Sequence, residues 1–139
     1  TLIKGGCFFD TAESFAMMRG GHLDIAVLGG FQVSADGNLA NWATDNEKYP
    51  PAVGGAMDLS VGAKTVYVLM RHTTKDGQPK ILDACTYPLT GTRVVSRIYT
   101  DLAVIEITPE GPRVIELFGG NSFDDVQAVT GTRLLAPQT

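Results

Sequence analysis

The residues best suited to chemistry lie in Pro50-Pro51-Ala52-Val53-Gly54-Gly55-Ala56-Met57-Asp58-Leu59, where two prolines feed a glycine pair, an apolar run and one carboxylate. Glycine lets backbone N–H groups approach a ligand closely. Gly54, Gly55 and Ala56 could therefore aim two amides at one oxygen, the geometry of an oxyanion hole or a thioester-carbonyl site. A glycine pair also makes a plain tight turn, and both readings stand at this level. Asp58 either takes part in such a site or is a buried acid that accepts hydrogen bonds from the loop amides and holds the turn. Asn38, Asn41 and Trp42 are placed to line the same crevice, although an aromatic beside a hairpin usually just packs.

Other reactive residue types are few. His22 and His72 are the only histidines and Cys7 and Cys85 the only cysteines, with no His-Glu-x-x-His or Cys-x-x-Cys spacing, so no metal site is expected. His22 follows a glycine cap and reads as a capping or core residue, and His72 as a surface group or part of a site. A Cys85–His72 nucleophile pair is conceivable but has no local signature. Each cysteine is most simply a small buried hydrophobe. Neither a Gly-x-Gly-x-x-Gly fingerprint nor a Gly-Lys-Ser/Thr phosphate loop occurs.

These groups have to be positioned by short elements punctuated by glycine doublets, which hold ten of the sixteen glycines. Asp10 with Glu13 resembles a capping box and starts a helix to Arg19 whose Phe15 and Met18 face the core. Asp24 to Leu28 reads as a strand covered on both faces. Phe31 to Ala35 alternates, meets the hairpin pair Asp36-Gly37, and returns from Leu39 to Trp42. Thr44 to Tyr49 reads as a loop into Pro50-Pro51, and Met57 to Val61 as a brief strand or turn. Thr65 to Met70 is the clearest buried strand. Lys75 to Lys80 is an exposed turn, and extended structure restarts at Lys80-Ile81-Leu82. Val94 to Ile98 fits helix or strand. Ala103 to Ile107 and Val114 to Phe118 make a hairpin around Pro109-Glu110-Gly111-Pro112, and Ser122 with Asp125 opens a helix with Phe123, Val126 and Val129 on one side, closed by Gly131.

The 139 residues suit one domain, 1–139, with no linker or repeat. The expected class is α/β, an open mixed sheet flanked by helices, with ligands in the crevice beyond the carboxyl ends of strands. With 44% hydrophobic and 19% charged residues the chain is globular. A net charge of −4 without a Lys/Arg cluster argues against nucleic acid. No apolar run approaches the ~20 residues of a membrane helix. Two cysteines fit a reducing cytoplasm. The start at Thr1, with no signal-peptide layout, leads us to expect a processed, nicked or excised piece.

Several stretches carry a resemblance. Met17-Met18-Arg19-Gly20-Gly21-His22-Leu23-Asp24-Ile25-Ala26-Val27-Leu28, Gly37-Asn38-Leu39-Ala40-Asn41-Trp42, Pro51 to Leu59, Cys85-Thr86-Tyr87-Pro88-Leu89-Thr90-Gly91 and Val95 to Val104 cover nearly the whole chain. Together, and in order, they resemble the B subunit of the 3-oxoacid CoA-transferases. The resemblance implies an enzyme that moves CoA from an acyl-CoA to an acceptor acid. An enzyme glutamate attacks the thioester, a mixed anhydride forms, and the released thiolate converts it to a glutamyl-CoA thioester. It assigns Gly54, Gly55 and Ala56 to the oxyanion or thioester-positioning role.

The family's glutamate lies in a Ser-Glu-Asn-Gly motif upstream of the segment matched by Met17 to Leu28, and this chain contains no such motif. Glu13, Glu47, Glu106, Glu110 and Glu116 lie in other contexts. The chain is therefore expected to be the C-terminal part of a B subunit, lacking its N-terminal part, inactive alone and with no catalytic residue of its own. It would need an A subunit in an A2B2-type assembly and the missing portion, which would cover its sheet. No bound cofactor is implied; the CoA thioester is the substrate. The Cys85-Thr86-Tyr87-Pro88 and Arg97-Ile98-Tyr99-Thr100-Asp101 versions look more like those of the 3-oxoadipate enzymes than of the acetoacetate ones, and that resemblance implies succinyl-CoA as donor and 3-oxoadipate as acceptor, a step of aromatic catabolism. Arg71, Arg93 and Arg97 are the cations open to the acceptor's distal carboxylate. A non-catalytic acyl-CoA or dicarboxylate binding or assembly module is the alternative, and an α/β thiolase or hydrolase using Cys85 a third.

Overall fold

A computed structural model describes residues 2–44 and 51–138. Residues 45–49 of the expected loop, with Glu47 and Pro50, lie outside the described residues. In chain order the elements are α1 (Thr11–Arg19), β1 (Ile25–Gly29), β2 (Gln32–Ser34), β3 (Leu39–Ala40), α2 (Ala56–Gly62), β4 (Thr65–Leu69), β5 (Ile81–Leu82), β6 (Val95–Tyr99), β7 (Ala103–Thr108), β8 (Gly111–Leu117) and α3 (Phe123–Ala128).

The strands form two sheets. Five make an open mixed sheet in the order β1-β4-β6-β7-β8, parallel across β1, β4 and β6 and antiparallel across β6, β7 and β8. Three make a small sheet, β3-β2-β5. The core lies between them. Val68, Val95, Ile98, Ile105 and Val114 of the large sheet pack with Val33, Leu39 and Ile81 of the small one, and Val126 of α3 closes the cluster. The β2–β3 hairpin forms about Asp36-Gly37 as the sequence indicates, with Gly37 at φ +84°. All three residues of β2 are buried, so its burial does not alternate.

Two expected burials are corrected. β1 is covered on one face only, and β4 exposes Leu69. Register puts Val27, Tyr67 and Arg97 on the same face of the sheet, beside the row Gly29, Leu69 and Tyr99. No described element covers that face: Ile25, Val27 and Leu69 are 52%, 57% and 52% exposed. The apolar run of β1 reads as a strand buried on both sides because every residue is apolar, whichever way it points.

Met57 to Val61 belongs to α2, a helix rather than a strand or turn. Gly54 turns the chain at φ +55°, Gly55 is the N-cap in helical conformation, and Leu59 N–H reaches Gly55 O at 3.0 Å. Met57 and Val61 face solvent while Ser60 is buried, so the apolar residues do not mark the buried side. α1 begins as expected, with Asp10 accepting the Glu13 N–H at 2.8 Å. Phe15 and Met18 are half-buried, and α1 packs on α2 with no fully buried residue. Val94 to Ile98 resolves to strand β6, β8 begins at Gly111 and takes in Pro112, and α3 opens on a complete Ser122–Asp125 capping box.

Candidate functional site

α2 carries the glycine-rich turn. The amides at its start receive no side-chain cap, and Gly54 faces solvent. A Cβ on Gly55 would sit 2.9 Å from Phe15 Cζ, so the bare backbone lets α1 press against the base of the turn. Asp58 does not accept from the loop amides. Its Oδ1 accepts from Arg19 Nε at 2.7 Å, and the Arg19 guanidinium lies 5.5 Å from the Phe15 ring centroid. This ion pair raises the Arg19 pKa from its ordinary value, mainly through the hydrogen bond to Asp58. The acid thus ties α2 to α1.

Asn41 is fixed from three sides at the carboxyl end of β1. Its Nδ2 donates to Gly29 O at 3.0 Å, its backbone N–H to Thr90 Oγ1 at 3.2 Å, and its Oδ1 accepts from Thr90 Oγ1 at 2.6 Å. Trp42 Nε1 donates to Leu89 O at 3.2 Å. The 86–91 loop is held from its other end by Gln32, whose Oε1 accepts from Thr86 N and Tyr87 N at 2.8 and 3.1 Å. Beside Thr90, Gly91 leaves room for Ser60 of α2, whose Oγ would lie 2.9 Å from a Cβ there. Asn41, the 86–91 loop and α2 therefore form one continuous cluster.

The other expected lining residues lie elsewhere. Asn38 serves the hairpin: its Oδ1 accepts the Arg93 N–H at 2.9 Å and its backbone O the Cys85 Sγ–H at 3.6 Å. Arg93 stands 3.7 Å from Asp36. Arg97 is on the uncovered face of the sheet, donating to Glu106 at 2.6 Å and lying over Tyr67, which meets Tyr99 edge-on. Its pKa is raised, first by the Glu106 hydrogen bond. Arg71, 82% exposed in its side chain, donates to Asp101 at 3.2 Å; with Thr73, Thr74, Lys75 and Asp101 it lines an open cleft of about 380 Å³ beyond β4.

Cys85 and His72 do not pair. Cys85 meets Asn38, and burial pushes its thiol pKa up, which disfavours a thiolate. Both His72 ring nitrogens meet threonine hydroxyls. Cys7 and His22 are exposed. No cluster of three His, Cys, Asp or Glu side chains able to hold a metal occurs among the described residues, and no described helix is long and apolar enough to cross a membrane. Gln32, Thr86 and Thr90 do not stand out in the sequence. Nothing in their spacing marks them, because their partners lie about fifty residues away.

A family described as Coenzyme A transferase matches residues 3–128. Over 97% of its length the chain is 60% identical to the B subunit of 3-oxoadipate CoA-transferase from Pseudomonas putida, of which it covers 63%. It is 48% identical to the B subunit of succinyl-CoA:3-ketoacid coenzyme A transferase from Helicobacter pylori over 94% of this chain and 62% of that one. The chain thus spans a little under two thirds of the length of these relatives. Among solved structures, the apoenzyme of an acyl-CoA transferase from Escherichia coli O157:H7 superposes with a TM-score of 0.80 at 18% identity, covering 97% of this chain and 31% of that one. Glutaconate coenzyme A-transferase from Acidaminococcus fermentans gives 0.72 at 18% identity, covering 93% and 58%. These two structures share the fold, a mixed α/β architecture with open sheets.

Proposed function

The chain belongs to the coenzyme A transferase family, and from that premise we propose that it is part of the B subunit of an enzyme moving CoA from succinyl-CoA to a 3-oxo acid, with 3-oxoadipate the preferred acceptor. The observation that carries this reading is the 60% identity, sustained over 97% of the chain, to a protein named as the B subunit of a 3-oxoadipate CoA-transferase. Its partners are then an A subunit and the portion of the B subunit outside these 139 residues. The uncovered parallel face of the large sheet supports the second partner, since parallel strands occur almost only with both faces covered.

In the transfer, a glutamate outside this chain attacks the thioester carbonyl carbon. The tetrahedral oxyanion collapses with loss of CoA thiolate to give an acyl-glutamyl anhydride. The thiolate then adds to the glutamyl carbonyl, expelling the donor's carboxylate and leaving a glutamyl-CoA thioester. The acceptor reverses the sequence. This chain's share is to hold the developing oxyanion. Gly54, Gly55 and Ala56 take that role, and their support is the solvent-facing turn with uncapped amides, braced by Phe15 and the Arg19–Asp58 pair. Asn41, held by Gly29 and Thr90, is proposed as a further lining residue.

Arg71 is the residue proposed for the acceptor's distal carboxylate. It lies beyond the carboxyl end of β4 in an open cleft with its side chain 82% exposed, whereas the Arg97 side chain is 32% exposed and bound to Glu106. Coupled assay of succinyl-CoA consumption tests the whole reading. A preparation of this chain with the rest of its subunit and an A subunit should transfer CoA to 3-oxoadipate, and the 139-residue chain alone should not. Turnover by the chain alone would refute the external glutamate, and no transfer to any 3-oxo acid by the complete assembly would refute the transferase reading. Arg71→Ala should weaken 3-oxoadipate use about tenfold or more and leave acetoacetate use nearly unchanged; equal loss on both acceptors would reject its role.

A further inference from the structure

His72 takes no part in the proposed transfer, yet it is buried to 1% exposure with both ring nitrogens occupied. Nδ1 lies 3.0 Å from Thr100 Oγ1 and Nε2 2.8 Å from Thr130 Oγ1. A hydroxyl can donate or accept, so the neighbours of each threonine decide which nitrogen carries the proton. Thr100 Oγ1 already accepts the N–H groups of Leu102 at 3.1 Å and Ala103 at 3.0 Å, which fills its lone pairs. Its own hydrogen has two acceptors in reach, Nδ1 and Ala103 O at 3.1 Å, and Ala103 O already receives the Thr100 N–H. Donation to Nδ1 is the choice that leaves no polar atom facing a filled partner. On the other side Thr130 Oγ1 donates to Val126 O at 2.7 Å, so it accepts from Nε2–H.

We propose that neutral His72, protonated on Nε2, is a latch joining the Thr100–Ala103 corner between β6 and β7 to the end of α3, and that proton uptake on Nδ1 releases it. Uptake turns Nδ1 from acceptor to donor. Thr100 must then swing its hydrogen to Ala103 O and face three donors with two lone pairs, so an amide of the corner loses its partner. Release thus loosens the corner, and with it Asp101 at its tip. The latch stands independently of the transferase reading.

The charged groups around the ring come from three places. Asp101 at the corner accepts the His72 backbone N–H at 2.8 Å, and its charge favours the imidazolium. Arg71, next along the chain, is bound to Asp101. Lys80, ahead of β5, donates its backbone N–H to His72 O at 3.3 Å, and burial lowers the pKa of its ammonium. From α3 and the residues after it, the ring's hydrogen-bond partner is the neutral Thr130. Burial lowers the His72 pKa and outweighs Asp101. The latch is therefore intact above the ordinary histidine value of about 6.5 and weakens as pH falls below it.

Long-range ¹H–¹⁵N correlation spectra of the 139-residue protein between pH 7.5 and 5 read the tautomer directly. The expected result is a proton on Nε2 at pH 7.5 and a titration below about 6.5. Amide-exchange protection at Leu102, Ala103 and Thr130, corrected for intrinsic rates, should fall in step, about tenfold for each unit of displacement. A proton on Nδ1 at pH 7.5, or protection that does not change with pH, would overturn the proposal. His72→Asn and His72→Gln should each abolish the pH response; a response that persists in either also overturns it. Thr130→Val, which leaves the ring intact, should expose the end of α3 at every pH while Leu102 and Ala103 still respond. Unchanged protection at α3 in that variant counts against the latch.

Discussion

At Gly62 the missing side chain lets α2 reach α1: a Cβ would lie 2.2 Å from the backbone oxygen of Met18, which cannot swing aside. Replacing a helical glycine by alanine ordinarily stabilises by up to about 1 kcal/mol. Here the sign should reverse, with Gly62→Ala losing roughly 1–3 kcal/mol in urea unfolding. Gly55→Ala meets only the tip of the Phe15 ring and should lose less. A Gly62→Ala midpoint equal to the unsubstituted protein's would refute this packing. The same scale shows how little of the cluster around Asn41 is readable from sequence. Gly54, Gly55 and Ala56 stand out because glycine pairs and prolines are visible in one dimension. Gln32 and Thr90 hold the neighbouring loop through contacts that chain folding alone creates. Asp58 lies in the first turn of α2 and its cation partner, Arg19, sits 39 residues back, so a local reading assigns it the nearest amides instead.

Among the elements, those with a local cause are legible and those defined by their neighbours are not. Asp36-Gly37 announces its hairpin through turn chemistry, and Asp10 and Ser122 announce helices through their caps. α2 escapes notice because it is seven residues long and its apolar Met57 and Val61 face outward. β1 reads as doubly buried because an all-apolar strand carries no alternation to say which face is covered. That bare face has a measurable consequence. In this chain alone, Leu69→Lys and Val27→Lys place charge where water already reaches, so unfolding free energy should change by no more than about 0.5 kcal/mol. In the complete subunit the same changes should lower the melting temperature by several degrees. Marked destabilisation of the isolated chain would mean the face is covered from within, and no effect in the complete subunit would mean nothing docks there.

For the molecule as a whole, the fold class is legible and the division into two sheets is not. Strand propensity reveals β2, β3 and β5 but not that they pair apart from the other five. The titrating groups give the whole molecule one acid profile. Asp24, Asp36, Asp101, Glu110 and Asp125 are all held below the usual carboxylate range, led by hydrogen bonds from Lys64, Ser34, the His72 N–H, Thr108 and Ser122 respectively. Such groups stabilise above their unfolded values of about 4, and the benefit is lost as pH falls through the lower folded ones. His72 acts earlier, from about 6.5 downward. Urea midpoints should therefore fall in two acid stages, and His72→Asn should erase the first alone; a single stage near pH 4 would contradict this. Gly37 is one point at which the two sheets are joined. Its carbonyl receives both Val94 N–H and Val95 N–H at 3.0 Å, and a Cβ there would meet Val95 O at 2.9 Å. The hairpin tip is thereby riveted to the start of β6. Under mechanical load the layers would have to shear this rivet before either could peel, so the molecule should yield to a pulling force in one rupture rather than two.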